Sequence, residues 1–145
     1  PSTITRLQNM GTPDYLISAA VSLVLAQRLA RKTCSECRVP DDDITPKALA
    51  DLGFTVEQAS RAKVQKGKGC PKCKDTGYKG RMGIYEILNV TKQIKEAILR
   101  KATTPELKKI ATEEGFRTMQ DMGRELILTG DLNFREFDRV ISGDQ

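Results

Sequence analysis

Two cysteine pairs constrain this chain more than any other feature. Cys34 and Cys37 form one Cys-x2-Cys turn, Cys70 and Cys73 form a second, and 32 residues separate them. A Cys-x2-Cys turn offers two sulfurs to one ion from a single tight loop, and two such turns complete a tetrahedral four-thiolate site. The spacing therefore predicts a bound Zn2+ held by Cys34, Cys37, Cys70 and Cys73. A site closed by four protein ligands keeps no open position for substrate, so its role is structural. Bridging within either pair would strain a short loop, whereas cross-pair disulfides stay open as an alternative. The chain contains no His, which removes the usual alternative ligand and general base. No catalytic or cofactor-binding residue is identified.

The 145 residues suit one or two small domains. With aromatics at 5% and no Trp, a core must rest on Leu, Ile, Val and Ala. The longest apolar run, residues 15–26, has 12 positions and is too short to cross a bilayer. Neither a basic leader segment nor a cleavage site frames it. The chain begins at Pro1 on what reads as mid-domain sequence, so it is expected to be a piece of a longer protein.

The net charge of +5 points weakly to an anionic partner. Residues 34–90 carry 10 basic and 8 acidic side chains, while residues 91–145 balance at 10 each. Four thiolates and one Zn2+ add −2, which would neutralise the middle block. Its one basic stretch, residues 61–81, sets eight basic residues against Asp75. Phe54, Tyr78 and Tyr85 are too few for a base-stacking platform, so nucleic acid is not the expected partner. The glycines after the second pair, "GYKGRMG", do not match a phosphate-binding Gly-Lys-Ser/Thr loop. Gly77 and Gly80 are expected to permit turns, and Gly83 to mark a bulge or close backbone approach.

Local signals place the elements. Thr12-Pro13-Asp14 reads as a helix start, and the apolar "AAVSLVLA" predicts that this helix runs to about Lys32, wanting partners on several sides. Thr45-Pro46 with Gly53 brackets a short helix, and Thr55 opens another. Residues 64–69 read as a strand edge or loop, and residues 81–90 as a strand. The tail carries four helix signals: Thr91 before "KQIKEAILRK", Thr104-Pro105 closed by Gly115, "TMQDMGRELILT" closed by Gly130, and Asn133 with Glu136 as a capping-box pattern closed by Gly143. These four are expected to form a small bundle.

Three stretches together resemble a known family: "LAQRLARKTCSEC", "GCPKCKDTGYKGRMGIYEIL" and "EEGFRTMQDMGRELILTGDLNFREFDRVI" look like the C-terminal part of the type II secretion and type IV pilus assembly ATPases. The resemblance covers nearly the whole chain, and its opening looks like the stretch directly after the family's histidine box. It implies an α+β, mostly helical fold. Residues 1–33 would be a remnant of a RecA-like motor domain, residues 34–90 a tetracysteine zinc module with its following strand, and residues 91–145 a helical subdomain. It implies that the parent binds ATP with Mg2+ and hydrolyses it as a cytoplasmic homohexamer, peripheral at the bacterial inner membrane. That parent would drive pilin or pseudopilin assembly through contacts with neighbouring subunits and an inner-membrane platform protein. The nucleotide loop, the acidic Walker B residue and the histidine box would precede Pro1, so this stretch alone is expected to be inactive. Lys79 and Arg81 read first as solvated charges, on an edge beside the metal loop that a neighbouring subunit could reach; the resemblance does not say what they touch. The alternative is a free-standing zinc-ribbon module for nucleic acid or unfolded chains; a redox role for the cysteines fits less well, since the two pairs match.

The span from Cys34 to Cys73 has few large apolar side chains: Val39, Ile44, Leu49, Leu52, Phe54, Val56 and Val64. Ordering its backbone costs about 1–2 kcal/mol per residue, and structural zinc binding supplies on the order of 10 kcal/mol. The metal is thus expected to hold this module, and the capped tail helices to stand without it.

Overall fold

The computed structural model describes residues 1–142 as an α+β protein with eight α-helices and four β-strands. In chain order these are α1 (Ser2–Asn9), α2 (Asp14–Ala20), β1 (Leu23–Thr33), β2 (Arg38–Pro40), α3 (Pro46–Asp51), α4 (Val56–Arg61), β3 (Gln65–Gly67), β4 (Tyr78–Asn89), α5 (Lys92–Leu99), α6 (Thr104–Glu113), α7 (Met119–Leu128) and α8 (Phe134–Ser142). A single 3-10 turn, Pro71–Cys73, carries the end of the second cysteine pair.

A helix does start at Thr12-Pro13-Asp14, but its N-cap is Pro13 with no side-chain cap bond, not Thr12; the later start signals hold better. Thr45 accepts from the Ala48 amide at the head of α3, and Thr55 forms a full capping box with Gln58 on α4. Thr91 Oγ1 accepts from the Ile94 amide. A capping box of Thr103 with Glu106 opens α6, one residue earlier than the Thr104 signal. Gly53, Gly115 and Gly130 all adopt positive φ just beyond a helix, the conformation that glycine enters at least cost. Gly143, expected to close the last helix, lies outside the described residues.

One long helix was the wrong expectation. After Ala20 the chain turns extended at Val21 (φ −86°, ψ 116°) and continues as β1, which pairs with β4. The reason is non-local. The strand after the cysteines needs a partner for its backbone N–H and C=O groups, and residues 23–33 supply it, overriding a helical propensity worth only tenths of a kcal/mol per residue. The all-round apolar character has a strand explanation too. Leu23, Leu25 and Leu29 share one parity of β1 and stay about half exposed, while Ala30, on the other parity, is buried; Thr33 shares the leucines' parity but is buried at the strand's end.

Two compact units divide the described chain. The first comprises residues 1–26 and 85–118. Its core is built from Ile4, Ile17, Leu88, Ile94, Ile98 and Leu107, contributed by α1, α2, α5, α6 and the end of β4. Thr5 and Thr104 share a hydroxyl hydrogen bond of 2.7 Å there, and Gln8 donates to Asp14 at 2.7 Å.

The second unit comprises residues 27–84 and the chain from Met119 onward. Here β2 and β3 pair antiparallel, Val39 opposite Lys66, and α3 and α4 span the interval between them. Leu49, Phe54, Ile84, Ile127, Leu132 and Phe137 form its core. The four tail helices are therefore not one bundle: α5 and α6 belong to the first unit, α7 and α8 to the second. The energetic expectation changes with them. The apolar set between the cysteine pairs is small, but Leu49, Phe54 and Val64 are buried in one cluster with side chains of α7 and α8. Packing from α7 and α8, far along the chain, contributes what the local sequence lacks.

Candidate metal centre

The second unit brings the two cysteine turns face to face. Residues 34–37 leave the end of β1, and residues 70–73 precede β4. Four backbone contacts fix them. Cys34 donates its N–H to the Gly77 carbonyl at 3.0 Å, and Lys68 donates to the Cys37 carbonyl at 2.9 Å. Cys73 and Asp75 both donate to the Cys70 carbonyl, at 3.1 and 3.0 Å. Lys74 and Asp75 follow in the left-handed region (φ 54° and 59°) and turn the chain back under the sulfurs.

Glycine makes the approach possible. A Cβ on Gly67 would lie 2.0 Å from the Gly77 carbonyl oxygen, and one on Gly77 would lie 2.5 Å from the Gly67 oxygen. Gly77 has the positive φ its turn requires (76°); Gly80 is also at positive φ (80°) but lies inside β4, not at the turn expected of it. A close backbone approach is found between Gly67 and Gly77. The sequence signal was present, as glycines within four residues on either side of the second pair, but not which of them would meet.

All four sulfurs lie within 4.8 Å of one another. Cys34 to Cys70 is 3.9 Å, Cys37 to Cys73 is 3.8 Å, and Cys70 to Cys73 is 3.7 Å. A disulfide needs about 2.0 Å, and the four cysteines are free thiols. Ligands about 2.3 Å from one tetrahedral zinc stand roughly 3.8 Å apart, close to these three distances, and the full set stays within 4.8 Å. Cys34 and Cys73 are buried, and Cys37 and Cys70 are partly so.

Backbone amides aim at the same sulfurs. Gly69 donates to Cys37 Sγ at 3.3 Å; Cys70 and Gly77 donate to Cys73 Sγ at 3.2 and 3.3 Å. Burial pushes the Cys73 thiol up, but the amides of Cys70 and Gly77 and the neighbouring thiols outweigh it and bring it down to about 6. Cys37 is pushed up to about 12, by burial first and then by the surrounding thiols, against the pull of the Gly69 amide. Within the cluster, charge on Cys73 is favoured and charge on Cys37 is opposed. A divalent cation at its centre is the partner that would let all four ionise.

The basic stretch is less available than its sequence implies. Arg61 pairs with Glu57 at 3.1 Å and Lys72 with Glu36 at 3.4 Å. Lys66 contacts the buried Asp41 at 2.8 Å and Asp43 at 2.6 Å. Lys79 and Arg81 are exposed on one parity of β4.

The match that places this chain covers almost all of it. The profile of the family described as "Type II/IV secretion system protein" matches residues 1–139. The chain belongs to this family of secretion ATPases. Within the type II/IV secretion system family, it is 37% identical to the type IV pilus assembly ATPase PilB of Acinetobacter baylyi over 97% of this chain and 24% of that protein. It is 41% identical to PilB of Thermus thermophilus, over 88% of this chain and 14% of the relative. It is 35% identical to type II secretion system protein E of Klebsiella pneumoniae, over 94% and 26%. The chain thus spans about a quarter or less of these curated relatives. Among the described residues, no helix is long and apolar enough to cross a membrane.

Proposed function

We propose that this chain is the C-terminal part of a hexameric ATPase that powers pilin or pseudopilin assembly, and that Cys34, Cys37, Cys70 and Cys73 hold one structural Zn2+ within it. The family membership over residues 1–139 supports the motor reading; four sulfurs within 4.8 Å of one another, three pairs of them at 3.7–3.9 Å, support the zinc. In this reading residues 1–33 are a remnant of a RecA-like motor domain. Residues 34–90 form the zinc module with its strand, and residues 91–145 carry the helical C-terminal part. ATP and Mg2+ are bound by the parent's preceding residues, not by these. The zinc clips the module into a shape that neighbouring subunits of a homohexamer, or an inner-membrane platform protein, can contact. The parent works in the cytoplasm, peripheral at the inner membrane.

Two measurements test this. Elemental analysis of protein purified without added metal is expected to give one zinc per chain; metal near zero with two disulfides by mass would overturn the zinc reading. Steady-state phosphate release is expected from the full-length parent and not from the 145-residue chain. A parent without turnover would overturn the motor reading.

A further inference from the structure

Glu136 is fully buried at the head of α8, and its carboxylate is not used as its position suggests. The Asn133 half of the capping pattern is present, since Asn133 Oδ1 accepts the Glu136 amide at 2.8 Å. The Glu136 side chain, which in a capping box would reach back to the helix head, is directed at β1 instead. Its Oε1 accepts the backbone N–H of Arg31 at 2.8 Å, and its Oε2 accepts Arg31 Nε and Nη2 at 3.0 and 2.7 Å. Arg139, one turn further along α8, donates to both oxygens. The Arg31 guanidinium also lies 4.1 Å over the Tyr78 ring, whose hydroxyl accepts from Asn133 Nδ2 at 2.9 Å.

These partners are placed with respect to the cysteines. Arg31 precedes Cys34 by three residues, and Tyr78 follows Cys73 by five. Each cysteine pair therefore has its adjoining strand tied to the same helix end. Thr33, next to Cys34, donates its amide to the Asp131 carbonyl just before α8, at 2.9 Å. A buried ion pair is poor evidence for stability, because apolar replacements often do as well. What a two-oxygen grip on both the main chain and side chain of one residue does supply is fixed geometry.

We propose that Glu136 is a positioning residue for the four-sulfur site: by gripping Arg31 against Tyr78, it sets the distance at which β1 and β4 deliver the two cysteine pairs. This rests on the zinc reading above. Metal ligation and the docking of α8 are then linked, and each strengthens the other by the same factor.

The test uses the 145-residue chain. Zinc affinity is measured by competition with a chromogenic chelator, and site geometry by the d–d absorption of the cobalt-substituted protein. Glu136→Gln is expected to bind zinc about 10- to 100-fold more weakly, the usual size of an outer-shell effect, with an altered cobalt spectrum. Arg139→Met removes only the partner on α8 itself and is expected to stay within about threefold of the unaltered protein. In the unaltered protein, metal removal is expected to lower amide-exchange protection across residues 134–140 and to leave residues 92–113 unchanged. Equal zinc affinity in Glu136→Gln, or equal weakening in both variants, would overturn the positioning role. If Glu136→Gln does not fold, exchange in the unaltered protein decides: unchanged protection at residues 134–140 after verified metal loss overturns the proposal. A chain that binds no metal at all overturns the zinc reading itself, which keeps the two failures distinct.

Discussion

Replacing Gly67 with Ala tests the account of how the two cysteine turns meet. The new Cβ would stand 2.0 Å from the Gly77 carbonyl oxygen and 2.5 Å from its Cα. Both neighbours are backbone, so no side chain can swing aside. Reaching an ordinary contact of 3.4 Å from 2.0 Å requires the two backbones to part by about 1.4 Å, if the new group is to be accommodated as ordinary packing requires. Overpacking of this kind costs about 1–3 kcal/mol. The hydrogen bonds from Lys68 to Cys37 and from Cys34 to Gly77 flank the contact, and weakening them adds about 1 kcal/mol each. The expected loss is thus about 3–5 kcal/mol. Because the two turns present opposite halves of the sulfur cluster, zinc affinity is expected to fall by about 30-fold or more, the equivalent of 2 kcal/mol. Gly80→Ala is the control. Gly80 has an equally unusual φ of +80° but nothing within 4 Å of an added Cβ, so it is expected to cost about 1 kcal/mol and to leave metal binding unchanged. Urea unfolding at saturating zinc, followed by far-UV circular dichroism, and chelator competition read both quantities. If Gly67→Ala stays within about 0.5 kcal/mol of the unaltered protein, or costs less than Gly80→Ala, crossed backbones do not join the turns.

Gly123→Ala would place a Cβ 2.1 Å from the ring of the buried Phe137. Alanine is about 1 kcal/mol the better helix former, but the clash is expected to win, for a net loss of about 1–2 kcal/mol and a lower thermal midpoint. The pH dependence of stability should report Glu136. Burial pushes its carboxyl up, but hydrogen bonds from Arg139 and Arg31 outweigh burial and hold it at about 2, against an ordinary 4.5. Its folded-state value is depressed, so its contribution, about 3 kcal/mol, is complete above pH 4.5 and is lost as pH falls toward 2. The stability difference between the unaltered protein and Glu136→Gln is expected to shrink over that window. Both proteins are compared without metal, because their zinc affinities are expected to differ and acid release of zinc would not cancel; a difference independent of pH would refute the assignment.

Much of this protein is local and was legible as such. A cap, a following Pro and a closing Gly act within one turn of chain, which is why the starts of α3, α4 and α5 could be placed from Thr45, Thr55 and Thr91 alone. The four cysteines were equally legible, since a Cys-x2-Cys spacing already sets how two sulfurs can face one ion. Tertiary structure decided what depends on a partner distant in sequence. Residues 21–33 have a helix former's composition but became a strand, because β4 had unpaired backbone groups to satisfy. Gly67 and Gly77 are unremarkable until the chain crosses itself there. Glu136 reads as half of a capping box; only the fold brings Arg31, 105 positions earlier, within reach of its carboxylate. Residue type and spacing thus determined the turns, the caps and the sulfur donors, whose energetics are settled over a few residues. The sheet, the assignment of α7 and α8 to the cysteine unit, and the grip on β1 each rest on a contact between separated segments, which no local pattern encodes.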